Sequence, residues 1–220
     1  MTRVLIALTS HSELGDTGRA TGFYVSEAAE PWEVFTEAGF DVDLVSVKGG
    51  RPPADGVDEA DPTQQKFLAN VDLDHTPVAA DLDASAYDAV LFAGGHGTMW
   101  DFPHADDLLK LAADIYERGG VVAAVCHGPS ALVNLKLSDG TYLVDGKNVA
   151  GFTNAEEEAV GLTDVVPFLL ADKLTSRGAI HHAAENWSAQ SVVDGRLVTG
   201  QNPQSAQLTG QNVAALLATK

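Results

Sequence analysis

Five consecutive apolar residues, Val4 to Leu8, open the pattern, and a run of that length without a polar face predicts a strand covered on both sides. A parallel sheet is its natural host. Polar, glycine-containing chain follows from Thr9 to Gly22, then Phe23 to Glu30, then Pro31 to Gly39, where Trp32, Phe35 and Ala38 share one helical stripe. Pro31 suits the first turn of a helix and Gly39 its C-terminal stop, so Glu27 is expected just ahead of that helix. Phe40 to Val47 alternates with period two and predicts a second strand, residues 48–62 read as loop, and a short helix is expected from Pro62 to Asn70.

Ala86 to Phe92 predicts a further buried strand that runs directly into Ala93-Gly94-Gly95-His96-Gly97-Thr98. Ala105 to Arg118 has helical periodicity through Leu108, Leu109, Ala112 and Ile115, and Gly119-Gly120 ends it. Val121 to Val125 is again a buried-type strand, leading to Cys126. Asp145-Gly146 predicts a hairpin turn within Tyr142 to Val149, and Asp194-Gly195 another within Ser191 to Thr199. Helices are expected over Val165 to Leu174 and Gln204 to Ala218. Strands alternating with helices predict an open, mostly parallel α/β sheet with helices on both faces. No composition break or internal repeat divides residues 1–220, which read as one domain.

Composition narrows the partners. Thirty-one acidic against 13 basic side chains give a formal charge of −18, which opposes attraction to phosphate backbones and anionic lipid. A small neutral substrate fits better than nucleic acid or a membrane surface. The 220 residues, 45% of them hydrophobic, suffice for a core without staples. Cys126 is the single cysteine, so no internal disulfide can form, and a thiol survives best in a reducing compartment, which points to the cytoplasm. The apolar run at the start is too short for a signal peptide, and no stretch nears the roughly 18 apolar residues of a membrane span.

The sharpest chemical feature is Ala124-Val125-Cys126-His127-Gly128-Pro129, in which small residues two positions either side of a nucleophile follow a buried strand. That is the form of a nucleophile elbow, with the thiol expected at the start of a helix whose N-terminus favours thiolate. Gly94 and Gly95, at the end of a neighbouring strand, expose backbone N–H groups that, with the N–H of His127, could cradle an oxyanion. A proton-transfer partner is needed, and Glu27 and the Glu156-Glu157-Glu158 run are the candidates. Glu27 beside Phe23, Tyr24 and Val25 would have its charged form disfavoured and so act as a proton donor. Spacing alone does not choose within the glutamate run. His181-His182, His96 and His104 lack ligand spacing of the i, i+4 kind, so neither a metal nor another cofactor is expected.

Taken in order, Leu5 to Ser10, Gly22 to Glu27 with Pro31, Ala93 to Thr98 with Asp101, Gly119 to Pro129, Gly151-Phe152-Thr153 and Asp194 to Pro203 resemble the ThiJ/PfpI superfamily, and within it the cofactor-independent glyoxalases (glyoxalase III) and stress chaperones. The resemblance spans nearly the whole chain. It implies a flavodoxin-like three-layer α/β sandwich and a homodimer. It further implies Cys126 as nucleophile with His127 beside it, Glu157 orienting that histidine, and Glu27 as the protonated carboxyl partner of the cysteine. The implied reaction converts methylglyoxal or a related 2-oxoaldehyde to a 2-hydroxy acid without glutathione or metal. Three other readings compete. A glutamine amidotransferase would place a His-x-Glu pair downstream of the cysteine, and the His-x-Glu here, His11-Ser12-Glu13, lies upstream. A cysteine peptidase could use the same triad, and a redox-responsive holdase would oxidise Cys126.

Overall fold

The computed structural model describes residues 2–219. Its strands are β1 (Arg3–Leu8), β2 (Phe23–Tyr24), β3 (Asp41–Ser46), β4 (Ala54–Asp55), β5 (Ala89–Phe92), β6 (Val121–Val125), β7 (Asn148–Val149), β8 (Ile180–His181), β9 (Ser191–Asp194) and β10 (Leu197–Gly200). The α-helices are α1 (Val25–Glu37), α2 (Pro62–Asn70), α3 (Thr98–Asp101), α4 (Asp106–Glu117), α5 (Asn154–Ala159), α6 (Leu170–Ser176) and α7 (Ala206–Ala218). No helix among the described residues is long and apolar enough to cross a membrane.

Six strands form the central sheet in the order β3-β1-β5-β6-β10-β9, all parallel except β9, which folds back antiparallel on β10. Successive side chains along a strand face opposite ways, and β1 divides accordingly. Leu5 and Ala7 join Val90, Phe92, Val122 and Ala124 under α4, whose Leu108, Ala112 and Ile115 cover that face. Val4, Ile6 and Leu8 join Leu91 and Ala123 on the other, beneath Trp32 and Phe35 of α1 and Val213 of α7. Three layers follow from this double burial, as the continuous apolar runs predict. The strand order reverses direction between β1 and β5, the place where open α/β sheets hold their ligands beyond the carboxyl ends of the strands. β1, β5 and β6 all end there.

Several local expectations are corrected. α1 begins at Val25 rather than Pro31, because the stripe of Val25, Ala28, Ala29, Trp32 and Phe35 packs as one buried face. Pro31 therefore lies inside the helix, and Glu27 sits in its first turn rather than before it. Asp145-Gly146 does form a turn, with Lys147 N–H donating to the Val144 carbonyl, but no hairpin follows. β7 instead pairs in parallel with β8, thirty-odd residues on. The helix expected from Val165 starts at Leu170, since Pro167 pushes the residue before it away from helical geometry. α5 has no counterpart among the expected helices, although Thr153 and Glu156 bond reciprocally as a capping box, the signature that marks its start.

Phe92 is wholly buried at the end of β5, its ring edge-on to Phe102 at 5.4 Å. Phe92→Ala is expected to cost about 3–5 kcal/mol of stability, read as a lowered urea midpoint at unchanged slope. An unchanged midpoint would mean that the layer under α4 is not packed as described.

Candidate active site

β5 and β6 are adjacent and in register, Phe92 opposite Ala124, so the Gly94–His96 loop and Cys126 emerge side by side from one sheet edge. Cys126 has φ 59°, a left-handed conformation that a side chain seldom adopts. Its N–H donates to the Gly200 carbonyl of β10 at 3.0 Å and its own carbonyl accepts from Phe152 N–H at 2.8 Å, which pins the reversal from both sides. The elbow is therefore present. The helix after it is not the expected one, because Gly128–Ala131 forms a single short 3₁₀ turn. Burial pushes the Cys126 thiol well above its ordinary pKa, the neighbouring Glu27 adds to this, and the His127 N–H only partly opposes them. This direction favours the thiol over the thiolate expected from a helix N-terminus.

His127 Nδ1 lies 3.5 Å from the Cys126 sulfur, and on the far side of the ring Nε2 lies 2.7 Å from Glu157 Oε2. The second oxygen of the same carboxylate, Oε1, is 2.7 Å from His96 Nε2. Burial acts to raise the Glu157 pKa, but hydrogen bonds from His127 and His96 outweigh it and hold the carboxyl down at about 2. His127 is lowered to about 4, first by burial and then by the adjacent His96. An ionised carboxylate thus faces a neutral His127, and both nitrogens that face it must carry hydrogen. That leaves the lone pair of His127 Nδ1 pointing at the thiol.

α5 separates its three consecutive glutamates. Glu157 reaches His127, Glu158 is exposed, and Glu156 turns the other way. The buried Glu156 carboxylate accepts from the Trp187 N–H at 3.0 Å and from the side-chain amides of Asn202 and Gln201 at 2.9 and 3.1 Å. It fastens the 182–190 segment over the C-terminal edge of the sheet, with Trp187 at φ 65° and its ring 5.9 Å from Phe152. Phe152 in turn lies 4.2 Å from the His127 ring.

Glu27 is fully buried, and neither carboxyl oxygen has a hydrogen-bond partner of good geometry among the described residues. Burial pushes its pKa up to about 8, although the Cys126 thiol and the Gly94 backbone lie close enough to draw it partly back. It is consequently a neutral acid at pH 7 beside the sulfur. A Cβ on Gly94 would overlap Glu27 Oε2, and one on Gly95, which has φ 102°, would overlap the Gly22 carbonyl. Close approach of the 22–27 chain is therefore what requires both glycines. The Gly95 and His127 N–H groups donate to no protein oxygen among the described residues, and the His127 N–H faces the Cys126 sulfur.

The remaining histidines lie elsewhere. His181 Nε2 contacts the Gly151 carbonyl at 3.3 Å, His182 Nε2 bonds Asn148 at 2.7 Å, and His11 stacks on Trp100. His96 is the residue that sequence reasoning left without a role, although a histidine directly after the glycine pair was the available signal. His96, His127 and Glu157 offer potential metal-ligand atoms within 4.8 Å of one another. Both Nε2 atoms of that cluster face the carboxylate, so as it stands it is also a hydrogen-bonded proton-transfer arrangement.

A parallel sheet and a cysteine elbow beside its switch point define a class of α/β proteins that present a nucleophile above the strand ends. This chain belongs to the DJ-1/PfpI family, whose model matches residues 19–215. It is 39% identical over 233 residues to the Candida albicans protein described as Glyoxalase 3, covering 98% of each chain. The crystal structure of glyoxalase III from Candida albicans aligns with a TM-score of 0.89 at 36% identity, over 97% of this chain and 96% of that one. The structure of Rapid Encystment Protein 24 kDa from Francisella tularensis aligns with a TM-score of 0.94 at 39% identity, over 99% of each.

The Glu27 environment has a consequence for stability. Its folded pKa, about 8, stands above the ordinary 4.5, so the folded state holds a proton that the unfolded chain releases. Stability is fully present below about pH 4.5 and is lost as pH rises toward 8, at up to roughly 1.4 kcal/mol per pH unit. Glu27→Gln removes this slope. Urea midpoints from pH 5 to 8 should fall faster for the parent than for the variant, and parallel curves would contradict a buried neutral Glu27.

Proposed function

We propose that this protein is a glutathione-independent glyoxalase, converting methylglyoxal or a related 2-oxoaldehyde to the 2-hydroxy acid, D-lactate in the case of methylglyoxal. The observation that carries the reading is the line Glu157–His127–Cys126 facing a buried, protonated Glu27, together with relatives named as glyoxalases over nearly the full chain. Cys126 is the nucleophile. Its thiol, too buried to ionise in the free protein, loses its proton to His127 Nδ1 as the sulfur adds to the aldehyde carbon. Glu157 keeps His127 in the tautomer that can accept, and the N–H groups of Gly95 and His127 meet the developing oxyanion.

The hemithioacetal then isomerises. His127, neutral again once it has protonated the hemithioacetal oxygen, takes the proton from the former aldehyde carbon while the ketone oxygen is protonated, giving an enediol; it returns that proton to the second carbon as the first carbon's hydroxyl loses its own, which yields a thioester of the 2-hydroxy acid. Glu27, neutral at pH 7 and next to the sulfur, supplies and recovers protons at the oxygens. Water releases the acid and restores the thiol. With only 3% of Cys126 exposed, the site favours a small aldehyde over a polypeptide, which weighs against a peptidase. A nucleophile that must remain a thiol suits the reducing cytoplasm, and a homodimer is the expected assembly.

Purified protein should form D-lactate from methylglyoxal without glutathione and keep its rate in the presence of a chelator. Cys126→Ser should abolish that activity, and Glu157→Gln, which loses the charge that fixes the histidine tautomers, should lower it by about 10²–10⁴-fold. The rate should decline on the alkaline side as Glu27 ionises near pH 8. Full lactate production by Cys126→Ser would overturn the reading.

A further inference from the structure

His96 shares the Glu157 carboxylate with His127, and the sharing is symmetrical: each ring gives Nε2–H to one oxygen, at 2.7 Å in both cases. An ionised carboxylate accepts Nε2–H from each ring, so in the neutral form of either imidazole the lone pair is on Nδ1. The Nδ1 of His127 is committed to the Cys126 sulfur. The Nδ1 of His96 has no hydrogen bond to any described residue, and no other ring in the site offers an unengaged base. Exposure separates the two rings further. The His96 side chain is 18% exposed, whereas His127 is at 1% and Glu157 at 2%, so water entering from solvent reaches His96 first.

Hydrolysis of a thioester on Cys126 needs two proton-transfer groups in one step. Water must lose a proton as it attacks the carbonyl carbon, and the sulfur must be met by a proton as the carbon–sulfur bond breaks. His127, against the sulfur, serves the second need and is poorly placed for the first. We propose that His96 is a further catalytic residue of this site, the general base that activates water for release of the 2-hydroxy acid. In that step His96 Nδ1 takes a proton from water, the oxygen bonds to the thioester carbon, and the tetrahedral adduct collapses with cleavage of the carbon–sulfur bond. The sulfur recovers its proton from the His127–Glu27 side and His96 returns its own to solvent. Water and thioester thus give thiol and carboxylic acid with no oxidant or reductant.

The inference rests on the glyoxalase reading, and the test separates the two. His96→Gln keeps an N–H for Glu157 but has no base. Parent and variant are mixed with methylglyoxal, passed rapidly over a gel-filtration column, and treated with hydroxylamine, which converts a protein-bound thioester, but not a reversible hemithioacetal, into a hydroxamate. For the variant we expect thioester formation in the first turnover within about threefold of the parent, a trapped hydroxamate near one per Cys126, and steady-state lactate output lower by about 10²-fold or more. First-turnover formation also shows that the variant site is folded. A variant with unchanged steady-state output, or one in which first turnover and steady state fall together without a trapped thioester, would overturn the assignment. In the latter case His96 only positions Glu157. A parent that makes neither lactate nor, in rapid quench, any thioester would overturn the glyoxalase reading itself.

Discussion

Glu157 carries a full negative charge almost entirely out of water, and everything around Cys126 is arranged about that constraint. A buried carboxylate is costly unless its lone pairs are met, and here two imidazole N–H groups meet one oxygen each. The histidines come from different strands of the sheet edge, His96 after β5 and His127 after β6, while the glutamate comes from α5 on the opposite wall. One charge thus ties three chain segments together, orients both rings through their Nε2 atoms and aims the His127 lone pair at the sulfur. Glu27 solves the opposite problem on the other side of the thiol. Burial outweighs its loosely placed neighbours and keeps it protonated, and two carboxyl groups in one small site hold different charges because their surroundings differ.

The layered sheet was legible because both its faces are covered: Val4 to Leu8, Ala89 to Phe92 and Val121 to Val125 read as unbroken apolar runs, and β9-β10 carried the Asp194-Gly195 turn. The elbow at Cys126 was legible for a similar reason, since small residues must flank so tight a turn. Legibility failed where tertiary contacts outvoted local signals. Pro31 reads as a helix start, yet burial of Val25, Ala28 and Ala29 carries α1 backward past it, which moves Glu27 from a loop into a helix turn. The same turn of chain at Asp145-Gly146 that looks like a hairpin leads into a parallel pair, because β7 finds β8 rather than its own predecessor.

Within the site, the nature of each group was easier to read than its state. The triple glutamate leaves its register open until the capping box at Thr153 sets where α5 begins, and from that point the three side chains must diverge. The thiolate expected from a helix N-terminus is disfavoured because the following helix is a single turn and the sulfur is buried, a depth that the sequence does not print. Glu156 was indistinguishable from a solvated acid, yet it holds the Trp187 segment through amides from Gln201 and Asn202 more than forty residues away.

The depth of Cys126 bears on the protein's working life. Peroxides and alkylating agents attack thiolates far faster than thiols, and they must also reach the sulfur. In the proposed reaction, a nucleophile kept protonated by burial and deprotonated only while a carbonyl carbon is beside it offers little to reagents that lack that carbonyl. On the proposed mechanism the site is armed by its own substrate, and burial keeps its one irreplaceable atom chemically quiet between turnovers.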